Sequence, residues 1–252
     1  MQIGNTNIGI RFMLLMTGCL LCFPPDGTSD TEKEYVVLLH GLARTGRSMK
    51  TLGERLAAEG YGVINDGYPS RTATVEELAE TAIPAAVAQC LENGAEKIHF
   101  VTHSMGGILV RYYLARHDLP QLGRVVMLAP PNNGSEVVDK LKNNLTFKWL
   151  NGPAGQQMGT DGKSLPKNLG PVNFDLGVIA GDRTINFILS GLIPGPDDGK
   201  VSVATTKVDG MKDHIVMHAT HTFIMRNRQV MDQTVFYLKK GKFDRSPEYF
   251  TG

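Results

Sequence analysis

Between Glu34 and His40 the chain reads Tyr-Val-Val-Leu-Leu, a run with no charged residue. Lys97-Ile-His-Phe-Val-Thr102, Arg124-Val-Val-Met-Leu-Ala129 and Asn173-Phe-Asp-Leu-Gly-Val-Ile-Ala180 are further candidate strands, each with one charged residue beside a mostly apolar stretch. A strand with one wet face alternates apolar and polar residues. These runs do not alternate, so each is expected to be buried on both faces, as in a parallel sheet covered by helices. The segments between them have helical spacing. Ser48–Glu59 carries Met49, Leu52, Leu56 and Ala57; Val75–Asn93 carries Leu78, Ala82, Ala85, Ala86 and Cys90; Met105–His117 follows the third run. Gly60–Pro69 supplies a further strand, entered through glycine. The alternation predicts an α/β fold: a mostly parallel central sheet with helices on both faces and right-handed crossovers.

The regular pattern stops at Pro130-Pro131. Residues 132–171 are rich in Gly, Asn, Lys and Pro, too long for a plain connection, with one short helix expected at Val137–Leu145. Short strands are expected at Val201–Ala204 and Asp213–Met217, and a closing helix over His221–Lys239. No repeat or linker divides the chain after its first 29 residues, so residues 30–252 read as one domain with 132–171 inserted in it.

The 252 residues include 26 Lys and Arg against 25 Asp and Glu, a net charge of +1. No basic excess exists to neutralise phosphates, which argues against a nucleic-acid partner. The first 29 residues read as an export signal: Arg11 precedes the uncharged run Phe12–Phe23, which is too short to span a bilayer, and Pro24-Pro25 follow. Gly18-Cys19 resembles a bacterial lipoprotein box, which would attach the chain to a membrane through a lipidated Cys19. The alternative is ordinary cleavage within Thr28–Asp30. Either way the expected location is periplasmic or secreted. If the segment is removed by cleavage within Thr28–Asp30, only Cys90 of the three cysteines remains, a small core residue in its helix. No CxxC or paired Cys/His spacing marks a metal site.

Chemistry concentrates in Phe100-Val-Thr-His-Ser-Met-Gly-Gly107. A serine between a buried strand and a helix, with glycine two positions later, has the pattern of a nucleophile elbow. The turn must be tight enough to lift the serine hydroxyl above the sheet, and the helix N-terminus then offers amides to a developing oxyanion. The bland role for Ser104 is a helix N-cap. With Leu38-Leu-His-Gly-Leu42, Thr102-His-Ser-Met-Gly106, Ala129-Pro-Pro-Asn-Asn-Gly-Ser135, Asp198-Gly-Lys-Val201 and the late His221, the chain from Tyr35 to Lys239 resembles the α/β-hydrolase superfamily, and within it bacterial lipases and esterases. The departure is Thr102, where the pattern usually has glycine.

That resemblance implies Ser104 as nucleophile, backbone N–H groups of Leu42 and Met105 as the oxyanion hole, and His40 as a turn-stabilising residue. Triad order, Ser then acid then His, makes His221 the base, with His218 as the alternative and His214 at the start of the preceding strand. Asp198 is the acid, with Asp182 and Asp197 as competitors. The implied activity is hydrolysis of a small-molecule or lipid carboxylic ester through an acyl-enzyme, without metal or organic cofactor. An acyltransferase or peptidase would use the same triad, and a non-catalytic binding protein on this fold is the remaining class. Related lipases place a cap after the fourth strand. Leu145, Phe147 and Trp149, with Leu141 and Leu150, are expected to pack there over the cleft and touch the acyl chain, or else to anchor the insertion as a satellite core.

Overall fold

In the computed structural model, which describes residues 1, 2, 4, 32–162 and 164–246, the apolar runs are strands of one sheet. The run Phe12–Phe23, Cys19 and the 28–30 cleavage segment lie outside the described residues. The strands are β1 (Glu34–Leu39), β2 (Gly62–Ile64), β3 (Lys97–His103), β4 (Leu122–Leu128), β5 (Leu176–Gly181) and β6 (Asp213–Met217). All pair in parallel, in the order β2-β1-β3-β4-β5-β6. Along β1, Glu34 to Leu39 face Lys97 to Thr102 one for one.

The two faces are separated by strand alternation. Val37 and Leu39, Ile98 and Phe100, Val125 and Met127, and Leu176 and Val178 pack on one side. There they meet α2 (Val75–Glu92) and α3 (Met105–Leu114) through Leu78, Ile83, Ile108 and Leu109. Val36 and Leu38, Val101, Val126 and Leu128, and Ile179 point the other way, to Leu52 and Leu56 of α1 (Lys50–Ala57) and Val230, Val235 and Leu238 of α8 (Arg228–Lys240). Burial on both faces is why these runs show no alternation in sequence. Cys90 is fully buried in the first of these cores, and burial pushes its thiol up to about 11. Thr74 starts α2 with a capping box: its hydroxyl accepts from the Glu77 N–H while the Glu77 carboxylate accepts from the Thr74 N–H.

Three expected elements differ. Val201–Ala204 is not a strand; only a single antiparallel bridge, Asp197 to Ser202, forms there. Its amides are engaged otherwise: the Lys200 and Val201 N–H groups donate to the Asp198 carboxylate, and Val203 N–H to Pro196. The closing helix begins at Arg228 rather than His221, because Asn227 caps it through the Val230 N–H; before it stands only a 3-10 turn, Ile224–Arg226. The described residues of the insertion after β4 form three helices: α4 (Glu136–Leu141), α5 (Leu145–Gln156), which is broken at Gly152 and Pro153, and the short α6 (Leu165–Asn168). A single turn, α7 (Phe187–Ser190), follows β5. Among the described residues no helix is long and apolar enough to cross a membrane.

Candidate active site

Every parallel strand points its C-terminal end to the same edge of the sheet, and the loops that leave that edge carry the chemical groups. Three non-glycine residues among those described have positive φ: Ala43 (55°) after β1, Ser104 (52°) after β3 and Ala129 (48°) after β4. Each costs on the order of 1–3 kcal/mol, so the fold concentrates backbone strain around one point. At Ser104, with ψ −124°, the chain passes from β3 into α3 in a single residue. The turn closes only because α3 can approach β1: a β-carbon on Gly106 would stand 2.6 Å from the Leu39 carbonyl oxygen. Thr102, the departure from the usual glycine, is accommodated fully buried.

The Ser104 hydroxyl does not cap α3. It lies 3.1 Å from Nε2 of His221, in the loop after β6. On the other side of that ring, Nδ1–H donates to Asp198 Oδ2 at 2.8 Å. Oδ1 of Asp198 accepts from the Lys200 N–H at 3.0 Å and the Val201 N–H at 2.9 Å, so both oxygens of the side chain are engaged. Asp198 and His221 are both buried, at 2% and 4% exposure. The acceptor Asp198 leaves His221 Nε2 with its lone pair toward serine.

The competing aspartates are engaged elsewhere. Asp197 accepts from the Ser190 hydroxyl at 2.6 Å and from the Gly199 N–H at 2.7 Å, a turn role. Asp182 accepts from Nδ1 of His218 at 3.0 Å, a hydrogen bond near the surface. His218 therefore has an aspartate but no serine. His214 bonds to the Thr206 hydroxyl, and burial lowers its pKa to about 4.

The residue before Ser104 has a role that motif spacing did not assign. His103 is buried, and its Nε2–H donates to the backbone carbonyl of His221 at 3.0 Å. The His221 N–H in turn donates to the Asp198 carbonyl at 3.0 Å. The backbone carrying the imidazole is thus held from both sides. Burial, and then the neighbouring His221, keep the His103 pKa far below the usual histidine value, so it stays neutral. A histidine directly ahead of the elbow serine was the available signal. Its Nδ1 faces Gly41, where a β-carbon would stand 2.8 Å away. That close approach brings the loop after β1 down onto the elbow.

In that loop the Leu42 N–H has no partner among the described residues, while its neighbour Ala43 donates to Ser70 Oγ at 3.0 Å. Met105 is the first residue of α3, and its amide has no acceptor within the helix. These are the two donors expected at the oxyanion position. The His40 side chain is engaged away from Ser104: it stacks on Tyr68 at 4.2 Å and donates from Nδ1 to the Gly41 carbonyl at 2.8 Å. Its Nε2 accepts the Tyr68 N–H, and burial lowers its pKa, which suits a neutral ring bracing the turn.

A cavity of about 230 Å³ opens beside Ser104, lined also by Leu42, Met105 and His221. The insertion walls it, through Val137, Val138, Leu141 and Met158. Leu141 meets the expectation for the lid, but two of the other expected residues do not. Leu145 and Trp149 are 80% and 78% exposed and line no part of the cavity. Four residues apart on α5, they share one face, which is turned to solvent; Asn151 and Gly155 face the cavity instead. The Phe147 side chain lies outside the described residues. Among the described residues no three His, Cys, Asp or Glu side chains come together as a metal site would require.

No protein-family model matches the chain, and no curated protein matches it in sequence. Solved structures do. The mature form of lipase BlEst2 from Bacillus licheniformis superposes with a TM-score of 0.68 at 17% identity, over 85% of this chain and 96% of that one. Phospholipase PlaB from Legionella pneumophila gives 0.59 at 17% identity, over 82% of this chain and 63% of the other. A metagenomic carboxyl esterase, MGS0156, gives 0.59 at 17% identity, over 77% and 66%. At such identities the likeness carries the fold, and the chain has the α/β-hydrolase fold.

Proposed function

We propose that the protein is a serine hydrolase that cleaves carboxylic esters through an acyl-enzyme. The observation that carries this is the unbroken chain from Asp198 through His221 to the strained Ser104, opening on a cavity with two unengaged amides. His221 Nε2 takes the hydroxyl proton as Ser104 Oγ attacks the ester carbonyl, and Asp198 stabilises the imidazolium that forms. The negative charge on the carbonyl oxygen is met by the Leu42 and Met105 N–H groups, each worth roughly 3 kcal/mol in comparable sites. His221 returns its proton to the leaving alcohol. It then deprotonates the water that releases the acid and regenerates the serine. The fold neighbours described as a lipase, a phospholipase and a carboxyl esterase support ester over amide chemistry. The cavity wall of Val137, Val138, Leu141 and Met158 supports an acyl chain as the buried part.

The experiment is fluorophosphonate labelling with the adduct mapped by mass spectrometry, followed by initial rates on esters from acetyl to long-chain acyl. An adduct on Ser104 with ester turnover is expected. Acyl transfer to an added alcohol faster than to water, or cleavage of peptides in place of esters, would redirect the reaction class.

We also propose export, from the Arg11 and Phe12–Phe23 signal. Native protein is expected outside the cytoplasm without at least its first 18 residues. A diacylglyceryl mass on Cys19 would select the membrane-attached branch, and an intact Met1 terminus in the cytosol would refute export.

A further inference from the structure

The cavity beside Ser104 is lined by two cations, Arg44 and Lys200, and by no carboxylate. Arg44 sits two residues past Leu42 in the loop after β1; Lys200 sits two residues past Asp198. The two therefore flank the serine from the oxyanion side and the acid side. Several basic side chains elsewhere stand in ion pairs, among them Lys97 with Glu34, Lys142 with Asp161, Lys212 with Asp175 and Arg55 with Asp232. Others at the surface, such as Lys167, Arg183 and Lys207, stand in none among the described residues; what sets Arg44 and Lys200 apart is that both line the cavity. Among the described residues neither Arg44 nor Lys200 has a salt bridge or a side-chain hydrogen bond. Asp198, the acid nearest in sequence, has both oxygens taken by His221 and by two amides.

The charges also crowd one another. Lys200 is exposed at the cavity mouth and Arg44 half-buried. Partial desolvation and then the like charge of Arg44 lower the Lys200 pKa, with Asp198 opposing the shift; partial burial and then Arg226 lower that of Arg44. Both cations act on His103, next to the nucleophile. Like charges gathered unpaired at a pocket destabilise the empty protein and are relieved by a bound anion.

We propose that the cavity selects esters bearing an oxyanion, a carboxylate or a phosphate, near the scissile bond, with Arg44 and Lys200 as the pair that binds it. The inference rests on the ester-hydrolase reading above and names its substrate class. Arg44 can present a guanidinium fork to two oxygens and Lys200 a compact ammonium, while Val137, Val138, Leu141 and Met158 receive the hydrocarbon part.

The test compares matched esters on the full chain at low ionic strength. One pair places the anion on the acyl side, 4-nitrophenyl hemiglutarate against 4-nitrophenyl pentanoate. The other places it on the alcohol side, 1-acylglycerol 3-phosphate against 1-acylglycerol, both below micelle formation. The anionic member of at least one pair is expected to have a kcat/KM roughly tenfold higher, the scale of one charged hydrogen bond. That ratio should shrink as salt is raised. It should fall toward one in Arg44→Gln and Lys200→Gln, and persist in Arg44→Lys and Lys200→Arg, which keep the charge and control for misfolding. The pair that responds identifies the side that carries the anion. A ratio near one in both pairs overturns the proposal, as does a preference that survives both Gln substitutions. Labelling of Ser104 and turnover of the neutral esters report separately on the underlying reading. If they persist without any charge preference, only the anion proposal fails; if both are absent, the two fail together.

Discussion

Ser104→Ala is expected to lower kcat for ester hydrolysis by about a millionfold, the scale seen when a triad serine is deleted, and to abolish fluorophosphonate labelling. The fold should persist. The hydroxyl makes one hydrogen bond, to His221, and alanine tolerates the 52° φ about as poorly as serine does. Thermal melts, adduct mapping and single-turnover rates on a 4-nitrophenyl ester check this. An adduct on any other serine, or residual turnover within a hundredfold of the parent, would remove Ser104 from the reaction.

Asp198→Asn is expected to cost about 10⁴-fold in kcat. An asparagine of the same shape can turn its NH2 toward His221 Nδ1. That favours the tautomer with the proton on Nε2, where the ring can no longer take the serine proton. Asp182→Asn and Asp197→Asn should change kcat by no more than a few-fold, since one holds the surface residue His218 and the other holds Ser190 and Gly199. The decisive measurement is the three variants side by side with melting curves. Equal small losses in all three, with each variant folded, would place the acid elsewhere.

The sheet and the elbow were legible because they rest on local pattern. Val36 to Leu39 can be apolar at every position only if both strand faces are covered. Gly106 can be recognised because two positions past a nucleophile the helix must touch the strand, here at the Leu39 carbonyl. Ser104, His221, Asp198, Leu42 and Met105 were named from spacing and resemblance, and the structure brings all five to one edge of the sheet. Of the expected lid residues Leu141 does line the cavity, while Leu145 and Trp149 do not, for a reason of direction. A count of large apolar side chains in 132–171 says that something is buried there, but not which face of α5 turns inward. Leu145 and Trp149 turned outward, and Val137, Val138, Leu141 and Met158 make the wall.

Determined by sequence alone were the alternation of strands and helices through β4, the two-sided burial of the sheet, and the elbow serine, since each depends on residues within a few positions of one another. The choice of Asp198 over Asp182 and Asp197 was left to the tertiary structure. So were the clamp of His103 on the His221 carbonyl and the meeting of Arg44 with Lys200 in one cavity. These contacts join loops after β1, β3, β5 and β6 that are far apart in the chain. Side-chain geometry there is set by how the parallel strands align their ends, and no periodicity within a single segment encodes it.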